Sequence, residues 1–291
     1  MAIASLWAGC GRRGVLLGEI GAGDASPPPG DGKGSKFSTP QLVTALSAPP
    51  ANNGDPTFTA DLQELFFTSD RNGSPDLWTS RRATAADPWG PPTIVAELNS
   101  SFSDTGPSIS LDGLRIWFAT DRDFSFGRIW HSTRPTRQDH WAAPQILSEL
   151  ATSAKDFAPT IDATETTMMF GSNRLGSMSY DVYVTTRTAG SGPWGAVSKV
   201  PGVNGAFDDW DPFVAQGGLV IFFTSMRQGA GDIFWSARES TSEPFPPPTS
   251  LADINSSAYD SDPSLSPDAN YMLFDSRRTG NSEIYEARAI W

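Results

Sequence analysis

The segment Phe66-Phe67-Thr68-Ser69-Asp70-Arg71 returns four times in this chain. The copies are Trp117-Phe118-Ala119-Thr120-Asp121-Arg122, Met169-Phe170-Gly171-Ser172-Asn173-Arg174, Phe222-Phe223-Thr224-Ser225-Met226-Arg227 and Leu273-Phe274-Asp275-Ser276-Arg277-Arg278. Their arginines lie 51, 52, 53 and 51 residues apart. Self-similarity at such a period marks an array of one supersecondary unit, which buries its apolar faces against its neighbours. Each unit opens on a proline (Pro56, Pro107, Pro159, Pro212, Pro263) placed 15 residues before its arginine. The residues after the proline read as a first strand, because proline at a strand's first position removes no ladder hydrogen bond. The Phe-rich run is the second strand, and Asp76-Leu77-Trp78 with its copies is the third.

Eleven residues past the third strand's aromatic stands another, at Trp89, Trp141, Trp194 and Phe245, and a fourth strand is expected from there through Leu98, Leu150, Val203 and Ile254. The fifth unit stops at Trp291 without a fourth strand. The missing piece stands at the other end, where Phe37-Ser38-Thr39-Pro40-Gln41-Leu42-Val43 matches Trp141-Ala142-Ala143-Pro144-Gln145-Ile146-Leu147. A ring makes use of this split unit, since the first strand completes the last sheet and covers its edge. The reading is an all-β fold: a five-bladed β-propeller of four-stranded antiparallel blades over residues 37–291, with no helix longer than a turn. The 10 Trp and 17 Phe suit strands packed face to face. The 27 Gly and 24 Pro recur in register and mark turns.

The motif Pro263-Ser264-Leu265-Ser266-Pro267-Asp268, the recurrent Phe-x-Ser-x-Arg, and Asp232-Ile233-Phe234 or Glu283-Ile284-Tyr285 after it resemble the WD-like propeller repeats of the TolB family of bacterial envelope proteins. The resemblance covers all five units. It implies a non-enzymatic platform for other proteins or ligands, outside the cytoplasm. The TolB propeller is larger and carries an extra N-terminal domain. At the N-terminus, Leu6-Trp7-Ala8-Gly9-Cys10 resembles the cleavage box of a bacterial lipoprotein signal, which would make Cys10 the lipidation site. Residues 1–17 are then a signal remnant and 18–36 a flexible linker. The alternative is an arbitrary N-terminal segment outside the fold. The expected location is periplasmic or at the cell surface, with an outer-membrane lipid anchor as the only membrane contact.

A net charge of −12 disfavours nucleic acid, whose phosphates need a basic surface. It leaves cations, sugars and basic protein patches as partners, and a monomer is expected. His131 and His140 have no third histidine or cysteine beside them in sequence, and Cys10 is the sole cysteine. Neither a zinc set nor a phosphate-cradling loop appears, so no cofactor or metal is expected.

Residues present in every copy are most simply structural. Arg71, Arg122, Arg174, Arg227 and Arg278 are expected to pair with a carboxylate three residues before each proline, at Asp104, Asp156, Asp209 and Asp260, with Asn53 in the first unit. Differences between copies are better clues to a site. Unit four carries Phe207-Asp208-Asp209-Trp210-Asp211 and unit five Tyr259-Asp260-Ser261-Asp262. Asp209, Trp210, Asp211, Tyr259, Asp260 and Asp262 are therefore ligand-binding candidates, an aromatic platform among acids that suits a sugar or an ammonium group. Phe124 and Phe126 place two rings in a loop that is polar elsewhere, and are candidates for partner contact.

The leading expectation is a non-catalytic envelope propeller that binds a protein or a glycan, with no catalytic residue. Two alternatives stay open. One is a glycoside hydrolase using channel-facing carboxylates, for which Asp55, Asp211, Asp262 or Asp209 would serve. The other is a lectin with one sugar site per blade.

Overall fold

A computed structural model describes residues 37–290 apart from 124–126, 175–178 and 189–191. Its strands form five four-stranded antiparallel sheets. Blade one holds Asn53–Phe58, Glu64–Ser69, Asp76–Arg81 and Thr93–Ile94. Blade two holds Asp104–Ile109, Arg115–Thr120, Arg128–Thr133 and Gln145–Ile146. Blade three follows with Asp156–Ile161, Thr167–Ser172, Asp181–Thr186 and Ser198–Lys199, and blade four with Asp209–Ala215, Val220–Ser225, Asp232–Ala237 and Thr249–Ser250. Blade five has Asp260–Leu265, Tyr271–Ser276 and Glu283–Arg288, and Gln41–Leu42 is its outer strand. The first strands of neighbouring blades touch in a closed cycle, so the architecture is a five-bladed propeller with those strands around the axis. Among the described residues, helix is confined to single turns such as Gln216–Gly218.

The ring closes as the split unit requires. Leu42 pairs with Tyr285 and Gln41 with Glu286, and Phe37 bridges Ala289. Ser38 N–H donates to the Arg288 carbonyl at 2.7 Å and Val43 N–H to that of Ile284 at 2.9 Å. These bonds cover the edge of the last sheet, which would otherwise offer unpaired backbone groups.

The paired aromatics of the second strand tie each blade to both of its neighbours. Successive strand residues point to opposite faces. Phe66 accordingly joins Ile116, Phe118 and Trp141 of blade two, whereas Phe67 joins Tyr271, Leu273 and Ile284 of blade five. Each junction holds one such apolar cluster, and every blade contributes to two of them. Burying one Phe contributes roughly 1.5–3 kcal/mol, so each blade is held chiefly by its neighbours.

Two expected details differ. The prolines do not open the first strand; each is its fourth residue, within a β-bulge. In blade one the register passes from Gly54↔Thr68 to Thr57↔Phe66, so Asp55 and Pro56 together oppose one residue. Proline is tolerated there because a bulge leaves a residue unpaired. The fourth strand pairs over only two residues per blade. Beyond it the chain turns, with Leu98 N–H on the Val95 carbonyl at 3.0 Å, and drops Leu98, Leu150, Val203 and Ile254 into the cores instead.

Candidate functional site at the channel mouth

The repeated arginines lie on the face where the second strand turns into the third and the fourth leads to the next blade. Arg122 meets Asp104 at 2.6 Å, Arg174 meets Asp156 at 2.8 Å, and Arg227 and Arg278 meet Asp209 and Asp260 at 2.7 Å. All four pairs are within one blade. Each arginine also donates to the carbonyl of Leu98, Leu150, Val203 or Ile254, tying down the turn after the fourth strand. In blade one Asn53 Oδ1 accepts from Arg71 at 2.5 Å, while Asn53 Nδ2 donates to Glu283 of blade five at 2.8 Å. A carboxylate borrowed across the closing junction thus replaces the absent aspartate.

This geometry removes two of the expected ligand-binding residues. Asp209 gives one oxygen to Arg227 and the other to the Gly205 N–H at 2.7 Å. Asp260 likewise holds Arg278 and the Ser256 N–H at 2.6 Å. Both are 0% exposed. They belong to the blade framework and have no oxygen left for a ligand, nor does Asp209 reach the channel as the hydrolase reading needed.

Two residues further along, the chain behaves differently. Asp55, Gly106, Ala158, Asp211 and Asp262 occupy the bulge position before each proline, with φ of 53°, 59°, 46°, 47° and 53°. This left-handed turn takes these residues out of the alternation that buries the rest of the strand. Neighbours then meet around the axis. Gly106 N–H donates to Asp55 Oδ2 at 3.1 Å, and a Cβ on Gly106 would lie 2.9 Å from Ala158 Cα, so no side chain fits there. Asp211 and Asp262 act on each other's ionisation. Carboxyls therefore line the channel on blades four, five and one, and blades two and three bring none at this position.

Asp275 joins this side. It occupies the slot held by Thr68, Ala119, Gly171 and Thr224 in the other copies. Its carboxylate accepts the hydroxyls of Ser261, at 2.9 Å, and Ser282. Burial, and then the neighbouring carboxyls, push Asp211 and Asp262 well above the usual carboxylate range, and burial raises Asp275. The sequence reading missed Asp275. A lone acid in a slot otherwise filled by Thr, Ala or Gly was the available signal.

Over the acids lies an aromatic rim. Trp210 and Tyr259 stack at 6.4 Å with planes 26° apart, and Asp211 and Asp262 both act on the Tyr259 phenol. Burial, then those charges, raise the phenol far above its ordinary value. Gly231 makes room for the ring, since a Cβ there would lie 2.4 Å from Tyr259 Cε2. Arg277 sits 5.0 Å from the centre of the Tyr259 ring. Phe157 and Tyr180 form an edge-on pair at 5.1 Å on blade three, with Lys155 over Phe157. Phe207, on the loop leading to Trp210, is 52% exposed. Trp210, Asp211, Tyr259 and Asp262 thus come together, while Phe124, Phe126 and Cys10 lie outside the described residues. Among the described residues no group of His, Cys, Asp or Glu has the arrangement of a metal site.

On the opposite face a second arginine recurs, which the sequence reading also missed. Arg82, Arg134, Arg187 and Arg238 lie 4.0–4.3 Å from the ring centres of Trp89, Trp141, Trp194 and Phe245. Their Nε groups donate to the carbonyls of Leu62, Gly113, Glu165 and Gly218. These stacks brace blades one to four, on the face away from the mouth.

No protein-family model matches the sequence, and no curated protein matches it. Solved structures do match. TolB from Acinetobacter baumannii aligns over 84% of this chain at 15% identity and a TM-score of 0.52, and the chain spans 56% of that protein's length. The fold is that of a TolB-like β-propeller. The same architecture aligns with the catalytic domain of a Coprinopsis cinerea GH62 α-L-arabinofuranosidase over 88% of this chain and 97% of that one, at 10% identity and a TM-score of 0.60. A thermostable family-43 glycoside hydrolase aligns over 86% and 92%, at 13% identity and a TM-score of 0.55. At these identities the TolB-like propeller shares a fold with its neighbours, and function rests on the site.

Proposed function

We propose that this TolB-like propeller is a non-catalytic binding platform of the cell envelope, taking a protein or glycan partner at the channel mouth around Trp210 and Tyr259. The observation that carries this reading is the stack of Trp210 on Tyr259, with ring centres 6.4 Å apart, beside the carboxyls of Asp211 and Asp262. A glycosidase needs its two carboxyls about 5–5.5 Å or 6.5–9.5 Å apart, to leave room for the sugar or for water. Asp209, one of the carboxyls that a hydrolase would use, is instead engaged by Arg227 at 2.7 Å. The rim supplies what a binding site needs instead: stacked rings beside an acidic recess, at a mouth built differently on each side. A lectin with one site per blade fits less well, because Trp210 and Tyr259 have no ring at the matching positions of blades one and two, where Gly54, Thr105, Asn52 and Ser103 stand.

The hydrolase reading keeps one observation in its favour, since a raised carboxyl in a channel is the property of a general acid. Capture from envelope extract and a glycan array, each run with the full chain and with Trp210→Ala, test the platform. Retention of a defined protein or glycan that Trp210→Ala loses supports it. Turnover of aryl glycosides that Asp262→Asn abolishes would overturn it. An anchor on Cys10 would set the platform on a membrane, and incorporation of labelled fatty acid that Cys10→Ala removes is the matching measurement.

A further inference from the structure

The third strand of each blade opens on a charged residue: Asp76, Arg128, Asp181, Asp232 and Glu283. Each stands at the junction with the following blade, because the residue before it accepts the backbone N–H of Asp104, Asp156, Asp209, Asp260 or Asn53 at 2.8–3.1 Å. Four of these charged side chains are answered. Arg128 donates to Asp123 at 3.0 Å, and Asp181 accepts the Lys199 ammonium at 2.7 Å. Glu283 accepts from Asn53 at 2.8 Å and from Ser47 at 2.7 Å. Asp76 has the Ser74 hydroxyl two residues before it. Asp232 is the exception. It is 7% exposed, and among the described residues its carboxylate has neither a hydrogen bond nor an ion pair. Ala230 stands where blade one has Ser74. The neighbouring Asp260 takes Arg278 and the Ser256 N–H for itself.

Blade three shows what such a carboxylate accepts. Lys199 on the outer strand is paired with Tyr183, two residues after Asp181, and so lies on the same face of the sheet. Its ammonium reaches a carboxyl that is 3% exposed while the lysine side chain itself stays 46% exposed, so a cation on the outside of the blade can engage the enclosed acid. In blade four Phe234 and Ser250 hold the same register, and Ser250 stands in the place of Lys199. Serine is too short to bring a cation to Asp232, and its hydroxyl accepts Asn255 Nδ2 at 3.1 Å instead. In blade one Ile94 holds this position, opposite Trp78, and packs on the core. An enclosed carboxylate with no partner is unfavourable, and burial, then the Asp260 charge, raise the Asp232 carboxyl.

We propose that the notch at Asp232, between blades four and five, is a binding site for a primary ammonium group, which seats on the carboxylate as Lys199 seats on Asp181. The site is separate from the channel acids and does not rest on the reading of Trp210. A lysine of a protein partner and a free small amine carry the same group. Its compact head and three N–H donors suit a carboxylate that is open along one side only.

The test titrates the full chain with methylammonium chloride and, separately, with N-acetyl-lysine amide, following the backbone amides of Asp232 and Ile233 by NMR. The expected result is a saturable shift of these amides that tetramethylammonium chloride, which has no N–H donor, does not produce at the same ionic strength. Asp232→Asn should weaken binding by about tenfold or more. Ser250→Lys supplies the ammonium from within the chain, so it should abolish the shift and raise the melting temperature by a few degrees. Lys199→Ser should open a second saturable shift, at Asp181. Tighter binding of the lysine amide than of methylammonium assigns a partner's lysine, and equal or weaker binding assigns a free amine. The proposal is overturned by the absence of a saturable shift in the unmodified chain, by an equal shift with tetramethylammonium, or by a shift that Asp262→Asn removes and Asp232→Asn does not.

Discussion

Asp209 and Asp211 stand two residues apart on one strand, and Asp260 and Asp262 repeat the arrangement a blade later. The first of each pair is enclosed and holds an arginine. The second turns into the channel, meets other carboxyls and is pushed upward by burial. The residue type is the same, and only backbone conformation separates the two outcomes. A left-handed φ at the bulge takes one side chain out of the blade, and the proline after it fixes where the strand resumes. A carboxylate's role here is thus set by one dihedral angle more than by the charges nearby in sequence.

Four substitutions break or sharpen this contrast, from the largest expected effect to the smallest. Asp209→Leu takes the counter-charge from the partly buried Arg227 and should lose about 1.5–3 kcal/mol in urea unfolding; a loss below about 0.5 kcal/mol would show the framework pairs to be dispensable. Gly106→Asp puts a channel acid on blade two, where the Cβ would meet Ala158 Cα at 2.9 Å. It should cost about 1–3 kcal/mol by overpacking, and an unchanged denaturation midpoint would mean that the axis is roomier than described. Asp211→Asn removes one acid whose pKa burial raises, so its stability relative to the unmodified chain should increase as pH rises; the pH dependence of the midpoint is the measurement, and parallel curves would contradict it. Ala158→Gly relieves a left-handed alanine at φ 46° and should gain about 0.4–1 kcal/mol at either pH. A loss there would indicate that the alanine methyl packs usefully against blade two.

Much of the architecture was legible because it repeats. Arginine and carboxylate recur at fixed spacing, and the segment at Phe37 matches the unit that the C-terminal end lacks, so five blades and a closed ring followed from counting. The site was legible only in outline. Trp210, Asp211, Tyr259 and Asp262 stood out as departures between copies, and the structure brings them together. Asp209 and Asp260 could not be separated from their neighbours by residue type, since a β-bulge leaves no mark in sequence beyond the proline, which also suits a strand's first position. Asp275 was hidden inside a conserved-looking segment. The stacked Arg82 set was hidden for the opposite reason: it lies in the loop after the third strand, where no apolar periodicity draws notice.

The bridge between Phe37 and Ala289 has a consequence for orientation. Phe37 enters the ring on the side of the stacked arginines, whereas Trp210 and Tyr259 open on the other. The described chain thus begins at the rear of the disc.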